Sequence, residues 1–345
     1  MTTLLLAIVA APPAWAQSAG DSAAFVIRLG TDTLGIERYV RQGDRYEATI
    51  VTRSPRTTVR RLVLTLASDG SVARWGGGPV DREIQEQAPP VSGTIPLAGA
   101  FWLPWELVAR KAQAANRDSV VVDVLAGNAV RPTTVRRLAP GRFAFLSQFD
   151  QPIEARLDAR GRLTSLTVEG GTTVERLAWV DLEKLQAEFA ARDAAGRGLG
   201  PLSPRDTTTA TAGGAQLRLE YGRPSLRGRP LDMLVAPGQV WRTGANDAST
   251  ITTDRPLIFD GLTLLPGTYS IFIQADPGRW TLIFNRQTGM SGLERDPARD
   301  LGRVALRTRT DAPATEQFTI EVRPEGALVF KWGRVEATAG FKTGT

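Results

Sequence analysis

From Phe25 to Phe341 the chain is written as short apolar–polar alternations cut by glycine, proline and aspartate, and this rhythm constrains the fold most. Phe25, Ile27 and Leu29 alternate with their neighbours. So do Leu62, Leu64 and Leu66, Leu217, Leu219 and Tyr221, Tyr269, Ile271 and Ile273, and Phe318, Ile320 and Val322. A two-residue period places every second side chain on one face of a strand, so each run can bury one face of a sheet. Turn residues separate the runs: Asp69-Gly70, Gly161, Asp260-Gly261, Leu265-Pro266-Gly267, Asp276-Pro277-Gly278 and Pro324-Glu325-Gly326. Short strands joined by such turns predict antiparallel sandwiches or barrels. A parallel sheet needs a long crossover between strands, and the spacing leaves no room for one.

Two stretches lose the alternation. FWLPWELVARKAQAA predicts a helix over about 104–116, and LEKLQAEFAARDAAG predicts a second, with Asp181 as N-cap and Leu182, Leu185 and Phe189 sharing one face. That helix should stop at Gly196 and Gly198. The following GPLSPRDTTTATAGG reads as a linker, with Thr207-Thr208-Thr209 as solvated loop. A chain of 345 residues exceeds what one core usually serves. The expected class is therefore all-β with two antiparallel domains. Residues 20–196 form a curved sheet or half-barrel with one or two helices, 197–216 a linker, and 217–341 a β-sandwich.

Ahead of these lies an address. Leu4 to Ala11 is apolar, Pro12-Pro13 follows, and Ala14-Trp15-Ala16 fits the A-x-A pattern of a secretory signal over 1–16, cut before Gln17. The segment Met1-Thr2-Thr3 lacks the usual positive charge. The run is too short to span a bilayer, and no cysteine follows it to carry a lipid. The expectation is a periplasmic or secreted protein with no membrane span.

Composition narrows the chemistry. With no His and no Cys there is no imidazole base, thiol nucleophile or Cys/His zinc cage, so no metal or cofactor is expected. The net charge of +6 is arginine-borne, because only Lys111, Lys184, Lys331 and Lys342 are lysines. It is spread along the chain, and Arg60-Arg61 and Arg136-Arg137 sit in strand-like runs without interleaved aromatics. That pattern describes a solvated surface, and no nucleic-acid partner is expected. Gly76-Gly77-Gly78 opens no helix and has no P-loop lysine, so it is no phosphate loop. Phe101, Trp102 and Trp105 read as core or inter-domain packing.

The C-terminal half carries a recognisable series in fixed order. It comprises Leu202-Ser203-Pro204-Arg205, Glu220-Tyr221-Gly222-Arg223-Pro224-Ser225, Val240-Trp241-Arg242-Thr243-Gly244-Ala245-Asn246, Leu265-Pro266-Gly267-Thr268-Tyr269-Ser270 and Trp280-Thr281-Leu282-Ile283-Phe284-Asn285. Together these resemble the family of exported bacterial proteins known as domain of unknown function 2911, over about 201–341. The resemblance implies export and a compact β-rich domain, and it transfers no reaction or catalytic residue. The chain departs from the pattern at Pro237-Gly238 and at Gly289-Met290-Ser291-Gly292.

Within this half, Tyr221, Arg223 and Ser225 on one turn and Arg242, Thr243 and Asn246 on another form the candidate ligand site. A guanidinium binds carboxylate or phosphate through two parallel hydrogen bonds, and an amide both donates and accepts. If the turns meet, Arg223 and Arg242 make a two-pronged clamp for a small anionic or carbohydrate-like ligand. The competing reading has Arg242 and Asn246 satisfying backbone carbonyls while Trp241 fills the core. A carboxylate/Tyr-dependent hydrolase acting on glycans is the enzymatic alternative, with Glu220, Asp247 and Asp260 as its carboxylates. A purely structural interaction protein is the third.

Overall fold

The computed structural model describes residues 22–146, 153–168 and 170–344. The expected signal segment lies outside them. The chain divides into two compact units, Met1–Gly200 and Pro201–Thr345.

Strands of the first unit are β1 (Ser22–Leu29), β2 (Asp32–Gln42), β3 (Arg45–Thr52), β4 (Thr58–Leu66), β5 (Val72–Pro79), β6 (Ile95–Leu97), β7 (Ser119–Ala126), β8 (Ala129–Ala139), β9 (Arg142–Leu146), β10 (Ile153–Leu157), β11 (Leu163–Val168) and β12 (Thr172–Leu177). They make one 12-stranded sheet in the order β5-β4-β3-β2-β1-β12-β11-β10-β9-β8-β7-β6. Two meanders therefore join where β1 pairs with β12, and the short β6 runs parallel to β7. The sheet curls until its ends approach. The Val72 N–H donates to the Thr94 carbonyl at 3.3 Å, and Trp75 pairs with Gln87 ahead of β6. Gly76 lies where this passing segment leaves no room for a Cβ, which would sit 2.6 Å from the Gln85 oxygen.

Helix α1 (Leu103–Ala115) forms where expected and fills the concave side. Its residues from Leu103 to Ala109 are all buried, the mark of a helix enclosed by protein. Phe101 and Trp105 join that core, and Trp105 stacks on Phe145 with ring centroids 5.5 Å apart. Helix α2 (Leu182–Ala194) covers the convex side instead. The Asp181 carboxylate caps it by accepting from the Lys184 N–H at 2.9 Å, and Gly196 follows with φ 66°. Strand β1 consequently buries both faces, Phe25 and Ile27 towards α1 and Ala24 and Val26 towards α2.

In the second unit the strands are β13 (Arg205–Ala212), β14 (Ala215–Gly222), β15 (Val240–Trp241), β16 (Ser249–Thr253), β17 (Leu257–Phe259), β18 (Leu262–Leu264), β19 (Gly267–Asp276), β20 (Arg279–Asn285), β21 (Asp300–Arg309), β22 (Thr315–Arg323), β23 (Ala327–Gly333), β24 (Val335–Gly340) and β25 (Lys342–Thr343). A one-turn helix, α3 (Leu231–Leu234), precedes β15. Two expectations need correction. The supposed linker holds β13, whose β-branched threonines pair with β14 from end to end. The expected β-sandwich is not confirmed: a 10-stranded sheet, β13-β14-β16-β19-β20-β21-β24-β23-β22 with β15 beside β19, carries most of the unit, and β18-β17-β25 form a separate three-stranded sheet. Continuity runs through β21, whose first part pairs with β20 and whose last three residues pair with β24. The large sheet curls around a core of aliphatic and aromatic side chains, and Ala248, Phe272 and Ile283 form a second, smaller cluster.

Candidate functional site

The two motif turns meet. Gly222 closes β14 against the turn at Gly244-Ala245, and a Cβ on Gly244 would lie 2.8 Å from the Gly222 oxygen. Thr243 and Asn246 hold positive φ of 50° and 64°, so the turn doubles back tightly enough to make this approach. Only glycine permits such contact between two backbones.

The guanidiniums nevertheless serve different purposes. Arg223 donates to Asp206 at 2.8 Å, to the Phe318 carbonyl at 3.2 Å and to the Thr319 hydroxyl at 3.0 Å. It thereby ties β13 and β14 to β22, the two ends of the curled sheet. Tyr221 does the same from inside: it is 1% exposed, and its hydroxyl accepts the Ile320 N–H at 3.1 Å. Ser225 sits in a bridge with Gln317, and its carbonyl accepts from Arg229 at 2.7 Å. Thr243 is fully buried, its hydroxyl donating to the Trp241 carbonyl at 3.4 Å. The two-pronged clamp is not formed, because Arg223, Tyr221 and Thr243 are committed to holding the sheet together.

Arg242 stands apart from that suture. Trp241 turns inward, stacking on Trp332 at 5.4 Å and meeting Phe318 edge-on at 4.9 Å. Arg242 is half-buried and makes no hydrogen bond or ion pair with any described residue. Burial pulls its pKa below the usual arginine value. Its aliphatic stem lies on Gly292, where an added Cβ would come within 2.6 Å of the Arg242 Cδ. The Gly292 N–H donates to the Asn246 carbonyl at 2.9 Å, and the Ala248 N–H donates to the Met290 carbonyl at 3.1 Å. The segment 290–292 thus runs beside 246–248 and borders both Arg242 and Asn246. Asn246 is exposed, and its amide group bonds to no described residue.

Glu220 pairs with Arg218 at 2.9 Å, which holds its pKa below the ordinary value. Asp247 is exposed and 3.9 Å from Arg205, while Asp260 belongs to the turn between β17 and β18. No group of acidic side chains able to hold a metal occurs among the described residues.

A buried acidic pair lies in the first unit, where the sequence drew no attention. Glu37 and Glu106 are both 0% exposed. The Glu37 carboxylate accepts the Trp102 N–H at 2.6 Å and the Leu103 N–H at 3.1 Å, capping α1 from β2. Burial pushes its pKa up to about 8, and the nearby Glu106 adds to the rise. Glu106 meets Arg110 at 2.6 Å, Arg176 at 3.0 Å, the Tyr39 hydroxyl at 3.1 Å and the Leu163 N–H at 3.1 Å. A signal was present: Glu37 shares the inward parity of Tyr39, and Glu106 lies mid-face in a run of buried helix residues.

Against known proteins, residues 203–341 match the family described as "Protein of unknown function (DUF2911)". This covers the C-terminal stretch where the motif series lies. No curated protein matches the chain. The solved structure titled "The Structure of Intact Ap-TbpB (N and C lobes)" is 8% identical, covering 90% of this chain and 62% of that one, with a TM-score of 0.13.

Proposed function

We propose that this chain is an exported, non-catalytic binding protein whose C-terminal unit takes a small anionic or hydroxylated ligand at Arg242 and Asn246. One observation carries the reading: Arg242 is half-desolvated and has no acceptor among the described residues. A cation in that condition has given up part of its hydration with no protein acceptor in exchange. A carboxylate or phosphate would satisfy two of its N–H groups at once. Asn246, on the same turn, can donate to an anion or accept from a sugar hydroxyl. The non-catalytic part of the reading rests on Glu220, kept ionised by Arg218 and unsuited to donate a proton near neutrality. Export rests on the apolar run and A-x-A pattern before Gln17.

The test is a thermal-shift screen of the mature chain against acetate, phosphate and glucuronate, followed by titration of whichever stabilises it. Free ligand at about a hundred times its Kd should stabilise by about 2.7 kcal/mol without turnover. Arg242→Ala should abolish the shift, and Arg242→Lys should restore it only in part, because an ammonium lacks the planar fork. Retention of every such ligand by both Arg242→Ala and Asn246→Ala ends the proposal. Export is checked separately by whether the cell-envelope or medium fraction contains a chain beginning at Gln17.

A further inference from the structure

We propose a second site on the outer face of β21 and β24, a hollow that binds a phosphate group. The strand register builds it. Val304 and Leu306 point into the core, so Arg307 and Arg309 point out, roughly 7 Å apart along the strand. Arg307 lies opposite Thr338, which lies opposite Val329 on β23. Arg309 lies opposite Glu336. From β22, Arg323 reaches Glu336 at 3.0 Å. Three guanidinium-bearing chains from two strands therefore converge on one hollow of about 250 Å³, lined by Arg307, Thr308, Arg309, Arg323, Glu336 and Thr338.

The charges in this hollow do not cancel. Glu336 is engaged by Arg323, with only 17% of its side chain exposed. Arg309 has the exposed Asp311 at 3.4 Å, a contact of small worth in water. Arg307 has no hydrogen bond or ion pair with any described residue, and the Thr338 hydroxyl has no hydrogen-bond partner among them. Two cations on one strand face repel, and an anion between them reverses the sign of that interaction. A tetrahedral dianion fits better than a carboxylate. It offers three or more acceptor oxygens to two guanidiniums and a hydroxyl, and its charge matches the two cations that no buried carboxylate neutralises. Glu336 also faces such an anion, and its repulsion is limited by the Arg323 pair.

The experiment uses the full mature chain carrying Arg242→Ala, so that any phosphate held at the Arg242 turn is removed and the two proposals fail separately. Inorganic phosphate, pyrophosphate and acetate are titrated calorimetrically at constant ionic strength. Pyrophosphate should bind more tightly than phosphate, with acetate weakest. Arg307→Gln with Arg309→Gln should weaken phosphate binding about tenfold or more, while Arg279→Gln, at the exposed first residue of β20, should leave it unchanged. Glu336→Gln should strengthen it. Flotation with phosphatidylcholine vesicles, with and without phosphatidic acid, identifies the source. Retention that needs phosphatidic acid and both arginines assigns the hollow to a lipid headgroup; phosphate binding without retention assigns it to a soluble phosphate. Equal losses for the paired and the Arg279 variants, or no binding of either kind, overturn the proposal.

Discussion

Each unit is built on one large curled sheet, joined in the second by a small three-stranded one, and the two differ in what they enclose and in how they hold buried charge. The first encloses a helix and buries ionisable groups with it, each held by several partners: Glu106 alone has Arg110, Arg176, Tyr39 and the Leu163 amide. The second encloses no long helix and fills its interior with Trp241, Trp332 and Phe318. Its polar residues close the seam, remain half-exposed, or are buried with partners of their own, as Asn285 is between Asp296 and Asp300. The difference separates two meanings of a desolvated charge. One surrounded by partners holds structure; one without partners among the described residues is what the proposed ligand site rests on.

The comparison breaks first at Glu106. Glu106→Ala strands two arginines inside the first unit, and urea denaturation should show a loss of about 3–5 kcal/mol. A loss near zero would mean that the buried network holds nothing together. Glu37 sharpens the same point through pH. Its pKa is raised from 4.5 to about 8, so the folded chain favours the protonated form. The stability this confers is fully present below pH 4.5 and is lost as pH rises through 8. Glu37→Gln should flatten that decline, a difference of roughly 2–3 kcal/mol near neutral pH between the two curves.

Smaller effects come from the second unit, where two arginines contrast. Arg223→Ala removes three hydrogen bonds at the seam and should cost about 2 kcal/mol in the same assay. Arg242→Ala removes none to a described residue, so stability without ligand should change by no more than about 0.5 kcal/mol, while ligand-induced stabilisation disappears. Equal destabilisation by both would return Arg242 to a structural role.

Much of this architecture was legible because its causes are local. The turn at Asp260-Gly261 and the cap at Asp181 depend on residues within a few positions of each other. The threonine run was misread through the company it keeps: flanking glycines and prolines suggested a linker, although alternating β-branched residues are what an edge strand such as β13 requires. The order of the large sheet was not legible for another reason. Local periodicity sets which face of a strand is apolar, but the neighbour of β21 at each end is chosen by residues far along the chain.

The sequence by itself determined most of the strands (though not β13), the two long helices, many of their turns and the absence of imidazole and thiol chemistry, since period, capping and residue type act over short separations. Tertiary structure alone decided which arginine is bound and which is free. Arg223 finds its acceptor on Phe318, 95 positions away, while Arg242 on the adjoining turn lies half-buried against Gly292 and finds none among the described residues. A guanidinium's partners are set by distance through space, and only the curl of the sheet brings the two ends of that distance together.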